Sequence, residues 1–344
     1  MAAKEGKAGM NILYHLTSPW PRIPNTDAVF QEVDALRRRF GGDILQLYPL
    51  RRPSRIFPKQ LYGIHQFRAL RRLEETAALH HLYYATLYPF PWLYCLRRPL
   101  VYSVVTGLGV SFGGRRPDWL KRVRMVVTPN PRDESILKSL PGIRYRIIRP
   151  GIAVERFSHT PCAPDRELVL LVGSAPWIER QFREKGIDLL MDLAAGPIPL
   201  RLVFLWRGWL VDELKRRVAR RGLGSRVEII NEWTDVNQVL GKVHATVVLA
   251  DSEKLVKAYP HSLMESLAAG KPVLLSDCIP MADYVKSANC GEVASVLTCD
   301  AVQEALRRLM NNYAGYQAAA LARGQADFAL DSMLKAYGEV YDQA

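Results

Sequence analysis

Short apolar runs alternate with stretches of helical period along almost the whole chain. Asn11–Leu16 reads as a first strand, followed by the turn-rich loop SPWPRIPNT. Apolar Ala28, Val29, Val33 and Leu36 then predict a helix over Asp27–Phe40, capped by Thr26 or Asp27. Further strands are expected at Ile44–Leu47, Leu79–Tyr84, Leu100–Val105, Met125–Thr128 and Tyr145–Ile148. From Leu168 the alternation restarts with strand LVLLVG, helix Ile187–Ala195, strand LRLVFLW and the basic helix Asp212–Arg221. Strand VEII, helix Asp235–Leu240, strand ATVVLA, helix Ser262–Ala269 and strand PVLLS complete the pattern. The runs LVLLV and TVVLA are apolar throughout, as strands covered by helices on both faces must be. Two consecutive α/β units, each built on a parallel sheet, are the economical architecture, with a seam at Arg149–Pro164 where RPG and PCAP interrupt the pattern. Ligands of such sheets bind beyond the carboxyl ends of the strands.

Composition narrows the choice. The 344 residues are 49% hydrophobic and 24% charged, enough for two cores and incompatible with disorder over most of the length. The net charge of +13 is unevenly placed: residues 1–150 carry 25 basic and 10 acidic side chains, and residues 151–344 carry 22 and 24. A first half this basic points to an anionic partner, whether nucleic acid, a membrane surface or a phosphorylated substrate. Nucleic acid ranks last, because no RNP, KH or basic-zipper signature accompanies the charge. The five cysteines are scattered without a CxxC pair, which argues against a disulfide framework or zinc knuckle and for a reducing, cytoplasmic setting. The opening MAAKEGKAG lacks the apolar core of a signal peptide, and Met10 offers an alternative start. The uncharged stretch Thr76–Leu96 holds two histidines and two prolines and is a poor membrane span, so any membrane contact is expected to be peripheral, on the inner face.

The most informative segment is KAYPHSLMESLAAGKPVL, Lys257–Leu274. It enters a helix at Ser262, leaves it at Gly270 and passes into a strand. A helix entered this way offers backbone N–H groups and a positive dipole end to a phosphate. Glu265, one turn inside, is placed to accept hydrogen bonds from ribose hydroxyls.

In these residues the chain resembles the retaining GT-B glycosyltransferases that use nucleotide sugars, the glycosyl transferases group 1. VVTPNPRDESILKSL and IIRPGIAVERF resemble the end of that family's first domain and its interdomain crossing, LLVGSAPWIERQFREKGIDLLMDLA its second-domain start, and DFALDSMLKAYGEVYDQ its closing helix. The resemblance implies two Rossmann-like parallel-sheet domains facing a central cleft. An acceptor domain would take residues 1–155 with the returning helix at 326–344, and a nucleotide-sugar domain residues 156–325. It further implies Lys185 and Glu265 as catalytic residues, with the backbone at Ser262, Leu263 and Met264, and His261 beside it, holding the donor diphosphate. Arg207, Gly208, Glu232 and Trp233 fall in loops that the family uses near the phosphate and base. No cofactor or metal is implied; the nucleotide sugar is a co-substrate.

Three departures stand out. Lys257 replaces the first glutamate of the family's pair, Ser174 replaces an arginine, with Arg180 or Arg183 of an insertion as substitutes, and Val105 replaces a histidine that contacts sugar. Either the donor sugar is held differently, with Lys257 binding an acidic sugar or extra phosphate, or transfer is impaired. We take the first as the expectation. The alternatives are a degenerate GT-B protein that binds nucleotide or glycan without turnover, and an epimerase on the same fold.

Each residue also has a plain structural reading. Lys185, Glu265 and His261 could be ordinary helix or core-edge residues, and Trp233 core filler rather than a base platform. His80 and His81 alternate across a strand, so a structural role is expected for them. Between Arg37 and Arg72 ten Lys/Arg residues stand against the single acid Asp43. Lys59–Leu73 is compatible with a basic amphipathic helix carrying Leu61, Ile64, Phe67 and Leu70 on one side. Arg51, Arg52, Arg55, Lys59, Arg68, Arg71 and Arg72 are therefore candidates for docking an anionic bilayer that bears a lipid-linked acceptor; the plain reading is a solvated basic face.

Overall fold

Strands that must bury both faces and helices that bury one stripe settle into two six-stranded sheets, all of whose strand pairs are parallel. A computed structural model of the chain describes residues 10–344, apart from 22, 24, 25, 52, 53, 55, 110–114, 163, 166, 207 and 208. The chain divides into two units: residues up to Pro21 and Asn25–Arg149 together with Asp331–Ala344, and Pro150–Leu330 together with Arg22–Pro24.

The first unit contains β1 (Ile12–Leu16), α1 (Ala28–Phe40), β2 (Asp43–Gln46), α2 (Phe67–Glu74), β3 (Leu79–Tyr84), β4 (Leu100–Val104), β5 (Val123–Thr128), α3 (Glu134–Lys138) and β6 (Tyr145–Ile147). Its strand order is β2-β1-β3-β4-β5-β6. Asp27, one of the two expected caps, closes α1 by accepting from the amides of Val29 and Phe30. Leu13, Leu82, Tyr102 and Val126 join one apolar cluster.

Residues pointing to the other face meet the last helix of the chain, which begins at Leu330 and ends at Gln343. His81 bonds the Tyr341 hydroxyl at 2.7 Å through Nδ1 and the Ser103 hydroxyl at 2.7 Å through Nε2; Tyr337 reaches the same serine at 3.1 Å. Burial pushes the imidazole of His81 down to about 3, so it stays neutral and acts as a bracket between strand and helix. His80 lies in a second buried chain. Trp92 Nε1 can only donate, and it donates to His15 Nδ1 at 3.2 Å. The proton of His15 is therefore on Nε2, 3.0 Å from His80 Nδ1, and His80 Nε2 donates to Glu74 at 2.9 Å. Both histidines are thus structural, as their alternation along the strand suggested.

The segment 59–73 departs from expectation. In place of one helix, two short 3-10 turns at Lys59–Leu61 and Ile64–Gln66 precede α2. The break is Gly63, held at φ +89, where an added Cβ would lie 2.7 Å from the Trp92 ring. Leu70 is fully buried, whereas Leu61, Ile64 and Phe67 remain 43%, 60% and 44% exposed.

The second unit contains β7 (Leu168–Val172), α4 (Gln181–Glu184), α5 (Ile187–Ala195), β8 (Leu200–Leu205), α6 (Val211–Arg220), β9 (Val227–Ile230), α7 (Val236–Leu240), β10 (Ala245–Val248), α8 (His261–Ala268), β11 (Val273–Ser276), α9 (Met281–Ala288), β12 (Gly291–Ala294), α10 (Cys299–Asn311) and α11 (Tyr313–Asp327). The final helix, α12 (Leu330–Gln343), returns to the first unit from Asp331 onward. Sheet order is β12-β11-β10-β7-β8-β9. Within β7, Leu171 packs into one apolar layer while Leu168, Leu170 and Val172 pack into the other, which explains its unbroken apolar run. All five cysteines are free thiols. No helix among the described residues is long and apolar enough to cross a membrane.

Candidate functional site

The order of the second sheet reverses between β7 and β10: the chain runs outward through β8 and β9, then restarts at β10 and runs the other way. At such a switch point the loops leaving two adjacent strands diverge and open a crevice at their carboxyl ends. Two candidate segments meet there. Gly173, directly after β7, donates its amide to the Val247 carbonyl at 3.0 Å, and its own carbonyl accepts from the Ser262 hydroxyl at 3.1 Å. A Cβ on Gly173 would stand 2.3 Å from that hydroxyl, so only glycine lets the loop and the start of α8 come this close.

The amino end of α8 is uncapped by any side chain, because Pro260 occupies the cap position. The amides of Leu263 and Met264 turn back to the Pro260 carbonyl, at 3.1 and 3.3 Å, and both side chains are fully buried in the core. Of the three backbone positions implied for diphosphate binding, Ser262 is the one left half-buried at the rim. His261 is buried in the first turn, and Glu265 is half-buried one turn further on. Lys257 is half-buried in the loop before α8.

Lys185 is 4% exposed and occupies the carboxyl end of α4. Its ammonium donates to the Ser174 hydroxyl at 3.0 Å and the Ala175 carbonyl at 3.2 Å, in the loop that follows β7. Burial pushes it down from an ordinary lysine to about 8. Gly186 next to it is left-handed at φ +62, and a Cβ there would meet Leu249 at 2.9 Å; the KG pair is therefore a turn that glycine permits. The turn is anchored from below. Phe182 of α4 stacks on Trp206 at 5.5 Å, and the Arg217 guanidinium covers its ring at 4.3 Å while bonding Asp188 and Glu213. The Asp251 amide, beyond β10, donates to the Glu184 carbonyl at 2.9 Å and ties α4 across the switch point.

The other candidates are more dispersed. Arg180 is exposed and spent on Glu184 at 2.6 Å, and Arg183 is exposed. Glu232 and Trp233 are exposed after β9; Trp233 at 65% is not core filler. Arg207 and Gly208 lie outside the described residues, as do Arg52 and Arg55. In the first unit Arg51, Lys59, Arg68 and Arg72 are exposed, whereas Arg71 is committed to Glu74 at 2.7 Å. Two positions come from the structure alone: Gly173 as the point of close approach to Ser262, and Ser174, which takes the place of an arginine in the resembled family, as a partner of Lys185. A glycine immediately after the first strand of a Rossmann-like unit was the available signal. Among the described residues no group of His, Cys, Asp and Glu could hold a metal ion.

A buried ammonium with a depressed pKa opposes folding. The folded state prefers the neutral amine, so stability falls as pH drops from the unfolded value near 10.5 toward about 8, and the cost is fully present at neutral pH. Lys185→Met is expected to stabilise the second unit by roughly 1–3 kcal/mol at neutral pH, an advantage that shrinks as pH rises from about 8 toward the unfolded value near 10.5. Denaturant melts of both proteins across pH check this.

Residues 174–324 match the family model described as Glycosyl transferases group 1. Lipopolysaccharide glucosyltransferase WaaG of Escherichia coli (strain K12) is 27% identical over 185 residues, 48% of this chain and 47% of that protein. The match thus spans about half the length of that relative. Among solved structures, Anabaena Alr3699/HepE in complex with UDP and glucose is similar with a TM-score of 0.71 and 14% identity, covering 97% of this chain and 100% of that one. The crystal structure of WaaG gives 0.67 and 14%, covering 96% and 99%. At these identities the structures establish the fold. The chain has the GT-B fold of two Rossmann-like units, and the part of it that is similar to the glycosyl transferases group 1, residues 174–324, encloses Lys185, Ser262 and Glu265.

Proposed function

We propose that the second unit grips the diphosphate of a nucleoside-diphosphate sugar at the β7/β10 switch point, and that the protein transfers the sugar to a saccharide or lipid-linked acceptor held by the basic first unit. The observation that carries this reading is the convergence of the uncapped start of α8 and the buried Lys185 ammonium on the loop that follows β7, at Gly173 and Ser174. An isolated buried cation costs free energy and is retained where it has a task. The UDP and UDP-glucose held by structures of similar fold support the donor class.

In the reaction, the bond between the anomeric carbon and the β-phosphate oxygen breaks and the acceptor hydroxyl oxygen bonds that carbon. The hydroxyl proton passes to solvent, and the nucleoside diphosphate leaves with one more negative charge. Lys185 and the Ser262 amide at the start of α8 stabilise that charge as it develops, without a metal bridge. Glu265, one turn into α8, holds the ribose. Retention at the anomeric carbon follows the family resemblance. Product formation from a panel of UDP-, GDP- and ADP-sugars, with and without chelator, tests the reading. We expect turnover with one base, insensitive to chelator and reduced at least 100-fold in Lys185→Met. Lys257 and Val105, at positions where the family has glutamate and histidine, favour a second reading of binding without turnover; a donor that binds but yields neither product nor free sugar would establish it.

The acceptor side rests on a patch in which Ile56, Leu61, Ile64 and Phe67 are exposed at 91%, 43%, 60% and 44% among Arg51, Lys59, Arg68 and Arg72. Exposed apolar side chains interspersed with cations along the chain suit an anionic bilayer better than water. We expect co-sedimentation with anionic but not neutral vesicles. Salt should weaken it, and Ile56→Ser/Ile64→Ser should reduce it about tenfold or more. Equal binding to both vesicle types would remove the membrane from this account.

A further inference from the structure

A cavity of about 620 Å3 opens at the edge of the first sheet formed by the amino ends of β4, β5 and β6. This is the opposite edge from the carboxyl ends, where ligands of such sheets sit. Its lining includes Arg97 and Arg98 just before β4, Arg122 and Arg124 at the start of β5, and Arg116 and Arg144 near Gly142. None of these six guanidinium groups is paired with a carboxylate among the described residues. Lys121, also in the lining, is paired with Asp118 at 2.6 Å.

Ordinary structural duties account for only part of this charge. Arg116 donates to the carbonyls of Gly142 and Leu120, at 2.6 and 3.2 Å, and Arg122 lies over the Tyr94 ring at 5.1 Å. The Nε of Arg116 is buried and has no hydrogen-bond partner among the described residues. Arg97, Arg98, Arg124 and Arg144 are exposed. Gathering so many like charges around one concavity is unfavourable by Coulomb repulsion, and an anion bound between them reverses that sign. Guanidinium forks match the geometry of phosphate oxygens, and their charge is permanent at any physiological pH. The volume lies within the roughly 300–1,000 Å3 of small-molecule sites, so there is room for more than a bare phosphate.

We infer that this arginine-lined cavity is a second anion site, which binds a phosphate-bearing ligand such as a phosphorylated saccharide or a lipid headgroup. It is separate from the diphosphate crevice of the second unit and does not depend on the donor assignment. Two sources share this chemistry, and the experiment separates them. The full chain is titrated with inorganic pyrophosphate at constant ionic strength, with UDP in excess, and sedimented with phosphatidylcholine vesicles with and without phosphatidic acid. The parent is compared with Arg98→Gln/Arg124→Gln/Arg144→Gln, whose exposed heads hold no part of the fold together, and with Lys185→Met. The inference requires the triple variant to lose pyrophosphate or phosphatidic acid binding by tenfold or more while Lys185→Met keeps it. Loss in solution identifies a soluble phosphate ligand, and loss on vesicles alone identifies a headgroup. Thermal melts verify that the triple variant is folded. Equal binding by parent and triple variant in both arms, or no binding by the parent in either, overturns the inference. A fall in Lys185→Met alone assigns the pyrophosphate to the donor crevice and also overturns it.

Discussion

The second unit depends on one close approach, that of the Gly173 backbone to Ser262. The chain can present a strand end and a helix start to the same ligand only if no side chain stands between them, and here a Cβ would sit 2.3 Å from the serine hydroxyl. The hydrogen bond from Ser262 to the Gly173 carbonyl fixes the spacing. The loop after β7 then continues to Ser174 and Ala175, which hold the Lys185 ammonium. Glycine, helix start and lysine form one assembly that is braced at a distance by Phe182 between Trp206 and Arg217.

Both units bury ionisable groups, but in contrasting ways. In the first, the chain from Trp92 through His15 and His80 to Glu74 satisfies each donor with an acceptor, and the imidazoles stay neutral because burial pushes both downward. Such a network specifies packing. In the second, Lys185 is a cation whose neighbours are a hydroxyl and a carbonyl, with no carboxylate among the described residues paired to it. Lys271 shows the structural alternative: fully buried, its ammonium pins the Thr160 carbonyl at 2.7 Å. The position of Lys185 at the topological switch point separates the two lysines.

The strands were legible in the sequence because parallel strands bury both faces. LVLLV, ATVV and LHHLYY stand out as runs, and their observed bounds agree with the apolar pattern to within a residue or two. Strand β12 and helices α9, α10 and α11 were not, although the resemblance gave the closing helix α12, and α11 shows why. It meets α8 through small residues, with Gly324 placed where a Cβ would lie 2.1 Å from the Leu267 carbonyl, and close packing of this kind leaves no apolar stripe to read. The broken segment around Gly63 failed for a different reason. Its periodicity is genuine from Phe67 onward, but a glycine required by the Trp92 ring interrupts it in a way that pattern alone cannot reveal. At the site, residue types were legible and their environments were not. Neither the burial of Lys185 nor the exposure of Trp233 is written in local sequence, because both depend on what the loops after β7 and β9 pack against.

The central claim is that a pyrophosphate restores to Lys185 the charge that burial discourages. The most direct measurement is titration calorimetry of UDP, GDP and ADP in buffers of differing ionisation enthalpy, at a pH just above the value of about 8 to which burial pushes this lysine. The account predicts that one nucleotide binds with net uptake of protons from the buffer and that Lys185→Met abolishes the uptake. Binding with no proton uptake, or indifference of the protein to all three nucleotides, would contradict it.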